Sequence, residues 1–323
     1  MTTAIQVHQT GGPEVLSVEQ IEVGDPGPGE ARVRHTAIGV NFIDTYFRSG
    51  LYKTALPFVP GNEGAGIVEA VGEGVDFVKP GNRVVYSATP GGYAQTRLIA
   101  ADKLIPVPDG ISDEVAAAAF LKGLTAQYLL RRTFRVGPEH TVLIHAAAGG
   151  VGLIAGQWAK ALGATVIGTA GSESKIELAR QNGYDHLINY RAEDFVARVL
   201  EITDGRKVDV VYDSVGKDTF DGSLEVLKPL GLMVSFGQSS GAVPPVDISV
   251  LNAKGSLFLT RPSVFGYNRD RATLLESAQD LFDVILSGKV RIRIDQRFAL
   301  TEARAAHEAL ESRATTGSTL LIP

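Results

Sequence analysis

Between Thr141 and Gly163 the chain reads T-V-L-I-H-A-A-A-G-G-V-G-L-I-A-G-Q-W-A-K-A-L-G. An apolar, β-branched run leads through a turn of small residues into an apolar stretch with helical spacing. Written as Ala147-x-Gly149-x-x-Gly152, the turn has the residue types a dinucleotide requires. A small residue at 147 permits a tight turn, Gly149 lets backbone approach a pyrophosphate, and Gly152 lets the helix pack close to the strand. Gly150, Val151 and Gly152 open that helix, whose unpaired N–H groups and dipole favour phosphate. A Gly-rich turn without a ligand can carry the same letters; the strand–turn–helix–strand setting is what favours cofactor binding.

The following strand ends A-T-V-I-G-T-A-G-S-E-S-K. An acid at the end of this strand would bind the adenosine ribose 2′-hydroxyl of NAD. The positions are instead Ala170, Gly171 and Ser172, and the first cation is Lys175. No carboxylate there repels a 2′-phosphate, so the expected cofactor is NADPH, with Lys175 and Ser172 as ligands. The competing reading makes Lys175 a solvated first-turn residue.

Composition sets the limits within which such a site must work. The chain has 323 residues, about twice the ~150 that serve as a prior for one domain. It is 44% hydrophobic and 21% charged, which excludes a disordered or collagen-like chain. Its 31 Lys and Arg against 36 Asp and Glu leave a net charge of −5, so nucleic-acid and membrane partners are disfavoured. Cysteine is absent, which removes disulfides, iron–sulfur clusters, catalytic thiols and thiolate zinc sites. With no basic region before an apolar run at the N-terminus and no long apolar stretch, the expected compartment is the cytoplasm.

The elements that must position the glycine turn follow from periodicity. To about Asp109 the chain reads as short strands broken by Gly and Pro, a small antiparallel β domain or partly open barrel. One helical insertion, N-F-I-D-T-Y-F-R-S-G from Asn41, ends at a glycine suited to a C-cap. Helical spacing then starts behind Ser112 as N-cap. Apolar runs begin at Thr141, Thr165, His186, Val208 and Leu232, separated by segments of helical spacing. Repeated βαβ units of this kind make a parallel sheet covered on both faces. The segments beyond Pro262 break that rhythm and are expected to return to the first domain. The fold class is therefore α/β: a β-barrel domain from both termini, at 1–123 and 263–323, and a Rossmann doubly wound domain at 124–262.

At these residues the chain resembles the zinc-independent NADPH:quinone oxidoreductases related to ζ-crystallin, within the medium-chain dehydrogenase/reductase superfamily. The resemblance covers essentially the whole chain. It is carried by G-V-N-F-I-D at Gly39, P-F-V-P-G-N-E-G-A-G-I-V at Pro57, G-N-R-V at Gly81, G-G-Y-A at Gly91, L-K-G-L-T-A at Leu121, H-A-A-A-G-G-V-G at His145 and D-S-V-G at Asp213. It implies that the first domain is GroES-like. Zinc alcohol dehydrogenases of the superfamily carry Gly-His-Glu and cysteine ligands, whereas this chain has Gly61-Asn62-Glu63 and Asn41. Both changes remove ligands, and the six histidines show no paired metal spacing, so no metal is expected.

Without a metal, oxidation of an ordinary alcohol lacks the group that would draw off its proton. A quinone or an enone is already electrophilic and needs only hydrogen-bond help at its developing oxyanion. The resemblance implies NADPH-dependent reduction of quinones, in some family members one electron at a time. The alternatives are an alkenal or enone double-bond reductase and a non-catalytic NADPH-binding protein. Asn41, Tyr46 and Tyr52 offer one amide and two phenols, and by resemblance line the nicotinamide and quinone site; composition alone reads the tyrosines as packing residues. Asp44 and Glu63 form a carboxylate pair for which a structural role is favoured over acid–base catalysis. Thr125 resembles the family's nicotinamide contact, and Arg313 a further adenosine-phosphate ligand. Tyr190, Ser214, Phe236, Gly237 and Ser239 lie near the ends of later strands, where a doubly wound sheet binds its cofactor. The segment Ser256 to Arg261 reads as an apolar edge strand of the Rossmann domain, through which the resemblance implies a homodimer.

Overall fold

A computed structural model describes residues 1–323. The chain forms two compact units: Met1–Leu124 with Arg269–Phe282 and Ile292–Pro323, and Thr125–Asn268 with Asp283–Arg291.

In the first unit the long strand Glu30–Val40 is the organising element. It pairs antiparallel with Glu63–Val71, Thr96–Ala100 and the C-terminal strand Ser318–Ile322. The chain's last strand thus closes the sheet begun by its first hundred residues. The sheet is not wholly antiparallel, because Ile294–Ala299 runs parallel to Ser318–Ile322 across the helix Ala303–Glu311. A parallel pair needs such a crossover connection. Leu16–Ile21 forms a further strand, antiparallel to Thr2–Val7. Alternation along Glu30–Val40 buries Ala31 and Val33 in one core and Ile38 and Val40 in another.

Helix α1 (Phe42–Arg48) leaves the end of this strand and stops at Gly50, whose φ of 80° suits a glycine C-cap. Helix α2 (Asp113–Tyr128) is a single helix with Ser112 Oγ accepting from Val115 N at 3.2 Å. It continues as a π-helical turn, Leu129–Thr133.

The second unit carries a six-stranded, all-parallel sheet in the spatial order His186–Asn189, Thr165–Ala170, Thr141–Ile144, Val208–Asp213, Leu227–Ser235, Phe258–Thr260. Strand order reverses beside Thr141–Ile144, which is where a doubly wound sheet opens a ligand crevice. Helix α3 (Gly150–Ala161) follows that strand and α4 (Glu173–Arg180) the next. Leu143, Ile167, Ile188, Val211 and Met233 fill one of its cores.

Residues 263–268 and 283–291, assigned from sequence to the first domain, pack with the second unit. Tyr267 stacks on Tyr128 with ring centroids 4.6 Å apart, and the Gln157 amide holds both backbone groups of Arg291. Neither contact has a local periodicity that a sequence reading could use.

Candidate active site and cofactor turn

In the first unit, Asn41 is the N-cap of α1, delivered there by the strand Glu30–Val40. Its backbone N–H donates to Asp44 Oδ2 at 2.9 Å, one half of a capping box. Its side-chain amide is used as well. Nδ2 donates to Glu63 Oε2 at 2.9 Å. The same oxygen accepts from Lys122 Nζ at 3.2 Å, and Glu63 Oε1 accepts from Leu121 N at 2.5 Å. Gly39 makes room for this carboxylate, since a Cβ there would overlap Glu63 and the Ala117 carbonyl.

Asp44 is equally buried. Oδ1 accepts from Asn62 Nδ2 at 2.8 Å, and Oδ2 accepts from Tyr93 Oη at 3.1 Å in addition to Asn41 N. Burial pushes the Asp44 carboxyl up to about 6, against the opposing pull of these donors and of the Lys122 charge. Behind Tyr93 the chain of contacts continues to His307 Nε2 at 3.0 Å, and from His307 Nδ1 to Arg48 Nη1 at 3.0 Å. Arg48 is paired to Glu311 through both terminal guanidinium nitrogens, Nη1 and Nη2. Burial and the Arg48 charge push His307 down to about 3, so its imidazole is neutral. The carboxylate pair expected from sequence is thus two separate acceptors, each surrounded by donors and both engaging Asn41.

This donor set does not suit zinc. Asn41 presents a nitrogen already donating to Glu63, Lys122 adds a buried cation, and no group of three or more His, Cys, Asp or Glu side chains converges on one point. Tyr46 and Tyr52 meet edge-on with centroids 5.4 Å apart, and Tyr52 N donates to Tyr46 O at 3.0 Å. Both rings are half-buried. Asn41, Tyr46 and Tyr52 therefore share one short stretch of chain around α1. Arg313 follows the helix Ala303–Glu311 in the same unit, exposed and with φ of 58°.

In the second unit, the turn between Thr141–Ile144 and α3 is shaped by Ala146, whose φ of 55° makes the tight corner. Ala147 is buried and its N–H donates to the Thr169 carbonyl. Gly149 is the N-cap of α3 and no side chain caps the helix. The opening turn of Gly150, Val151 and Gly152 therefore offers N–H donors of the kind that hold a pyrophosphate. At Gly152 a Cβ would collide with the Ala146 and Ala147 carbonyls, the close packing that the third glycine of the motif provides.

The end of the next strand places Gly171 beneath Tyr190, whose hydroxyl would lie 2.5 Å from a Cβ at 171. Ser172 is the N-cap of α4, accepting from Lys175 N at 3.4 Å. The nearest acid, Glu173, accepts from Asn189 Nδ2 at 2.6 Å. Farther along the sheet, Phe236 N donates to Asp213 O at 2.8 Å and Ser239 N to Ser214 O at 3.1 Å, while a Cβ at Gly237 would meet the Ser214 carbonyl. Ser214, Phe236, Gly237 and Ser239 form one backbone-paired cluster. Thr125 is buried and hydrogen-bonded to Tyr128.

Two residues for which no role was expected from sequence hold these parts in place. Arg261 donates to Ser235 O, Gly237 O and Gln238 Oε1 at 2.8 to 3.2 Å, clamping the Phe236–Ser239 turn. Lys122 neutralises Glu63. In the sequence it is a lone cation within A-A-A-A-F-L-K-G, at the start of the L-K-G-L-T-A motif.

Comparison with known proteins gives a consistent picture. The alcohol dehydrogenase GroES-like domain family matches residues 27–109, and the family described as zinc-binding dehydrogenase matches residues 150–283. The chain is 54% identical to quinone oxidoreductase 1 of Escherichia coli, with all of both chains covered. It is 46% identical to a 2-haloacrylate reductase of Burkholderia sp, covering 100% of this chain and 99% of that protein. Among solved structures, Escherichia coli quinone oxidoreductase complexed with NADPH superposes with a TM-score of 0.98 at 54% identity, covering 99% of this chain and 100% of the other.

Proposed function

This chain belongs to the quinone oxidoreductase family of the zinc-independent medium-chain dehydrogenases/reductases, and from that membership we propose that it is an NADPH-dependent quinone reductase working without a metal. The observation that carries the reading is full-length identity of 54% to a quinone oxidoreductase whose structure contains NADPH. The uncapped start of α3 and the absence of an acid at 170–172 support the same cofactor.

NADPH, when bound, supplies the reducing equivalents. The N–H groups of Gly150, Val151 and Gly152 hold the pyrophosphate, with Gly149 leaving room for its approach. Lys175 and Ser172 bind the 2′-phosphate, with Arg313 as a further cation and Tyr190 beside Gly171 bordering the adenosine. Thr125 and the Ser214 and Phe236–Ser239 cluster receive the nicotinamide half. Asn41 lines the nicotinamide and acceptor site, and Tyr46 and Tyr52 orient the acceptor and hydrogen-bond its oxygens as they gain charge. The same side chains serve a transfer of two electrons together or one at a time.

Reduction of an activated alkene is the second reading, favoured by the 46% identity to a 2-haloacrylate reductase. We further propose a homodimer through the edge strand Phe258–Thr260, where Phe258 is 60% and Leu259 38% exposed. No helix is long and apolar enough to cross a membrane. Reliance on a freely diffusing nicotinamide reductant is the ground on which we assign the enzyme to the cytoplasm.

The test is an acceptor screen followed at the nicotinamide absorbance band, with NADPH and NADH each offered 1,4-benzoquinone, a naphthoquinone, an alkenal and a 2-haloacrylate. Brisk NADPH oxidation with the quinones is expected. Turnover confined to the alkenal or haloacrylate would establish the second reading, and NADPH binding without turnover on any acceptor would overturn both.

A further inference from the structure

We propose that Glu63 is a positioning residue for Asn41, fixing which end of the Asn41 amide faces the opening of α1 and the reacting groups. The inference rests on the reading of Asn41 as a site residue. An amide has a donor end and an acceptor end of nearly equal shape, so packing alone does not choose between them. Glu63 does choose. An ionised carboxylate only accepts, so the amide must turn Nδ2 toward it, as it does at 2.9 Å. The amide carbonyl is thereby turned away from Glu63, on the side of the first turn of α1.

Three features hold Glu63 itself in place. The Leu121 N–H and the Lys122 ammonium both donate to it, and Gly39 leaves space that any side chain would fill. Glu63 is 0% exposed and Lys122 6%. A buried ion pair of this kind is weak evidence for stability, since well-packed apolar residues often do as well. What apolar residues cannot do is orient an amide.

Glu63→Gln keeps size and shape but gives the side chain a donor end. Three donors then face a single acceptor oxygen, and the Asn41 amide relieves the conflict by turning over. Its carbonyl would accept from the new amide, and its NH2 would face α1 and the site. The variant should lower kcat/KM for quinone by roughly 10- to 100-fold and weaken NADPH, read independently by nicotinamide fluorescence.

Adding Asn41→Asp to Glu63→Gln should rescue both. A carboxylate at 41 can accept from the new amide with one oxygen while presenting the other toward α1, and it also balances Lys122. Asn41→Asp alone sets two carboxylates against each other and should lose activity. The control is Glu63→Gln with Lys122→Met, which removes the unbalanced ammonium without restoring the direction of the Asn41 amide. It should recover the thermal midpoint but not kcat/KM or NADPH affinity.

Full recovery of activity in that control would reduce Glu63 to a counter-ion and overturn the proposal, as would unchanged kcat/KM and NADPH affinity in Glu63→Gln. Should Glu63→Gln alone fail to fold, the two charge-balanced double variants make the same comparison. Failure of the wild-type protein to oxidise NADPH with quinones would instead count against the reading of the site, and is seen before any variant is made.

Discussion

Arg48 Nη1 lies 3.0 Å from His307 Nδ1, and because a guanidinium has no acceptor, the imidazole keeps its one proton on Nε2. Every hydrogen in the chain then points the same way. His307 donates to Tyr93, and Tyr93 donates to Asp44. The C-terminal helix Ala303–Glu311 and α1 are joined by a polar chain with a fixed direction, ending at a carboxylate whose ionisation is opposed by burial.

That carboxylate gives a stability prediction. Asp44 has its folded value raised from 3.8 to about 6, so the stability its protonated form contributes is fully present below about 3.8 and is lost as pH rises through about 6. The loss is at most about 3 kcal/mol by the conversion of about 1.4 kcal/mol per unit. In Asp44→Asn, rotation of the Asn62 amide lets its buried Oδ1, which has no partner in the wild type, accept from the new NH2. The thermal midpoint of the variant should therefore gain on wild type between pH 4 and pH 7. A difference independent of pH would contradict a raised Asp44.

Lys175 separates the two nicotinamide cofactors. It sits in the first turn of α4, capped by Ser172, at a strand end whose nearest acid is held by Asn189. Lys175→Ala should weaken NADPH by roughly 10- to 100-fold, corresponding to a charged contact of about 1.5 to 3 kcal/mol, and leave NADH nearly unchanged. Titration of both cofactors by nicotinamide fluorescence decides it. Equal losses would assign Lys175 a structural role.

At the sheet edge, Phe258→Glu places a charge on the exposed side of the outermost strand, which pairs only with Leu227–Ser235. Sedimentation should show a dimer for wild type and a monomer for the variant, with NADPH affinity retained. A monomeric wild type would refute this interface.

The glycine turn and the αβ rhythm were legible because they are local. Gly152 must lack a side chain wherever a helix packs this close to the preceding strand, and the apolar runs from Thr141 onward must be strands if helices are to cover both faces. α1 with its Gly50 C-cap and the Ser112 cap of α2 follow from the same short-range chemistry. The parallel pairing of Ile294–Ala299 with Ser318–Ile322 was not legible, because a strand's letters do not state its partner's direction.

Asn41, Tyr46 and Tyr52 stood out by residue type, but the sequence alone determined only that an amide and two phenols lie near one another. Tertiary structure decided what the amide faces. Glu63 comes 22 positions later, Lys122 59 positions after that, and His307 lies 214 positions beyond Tyr93. Hydrogen bonding and desolvation act over a few ångströms in space, whereas periodicity and capping act over a few residues along the chain. The turn that holds a phosphate is therefore written in the sequence, and the orientation of the group that meets the acceptor is set by the fold.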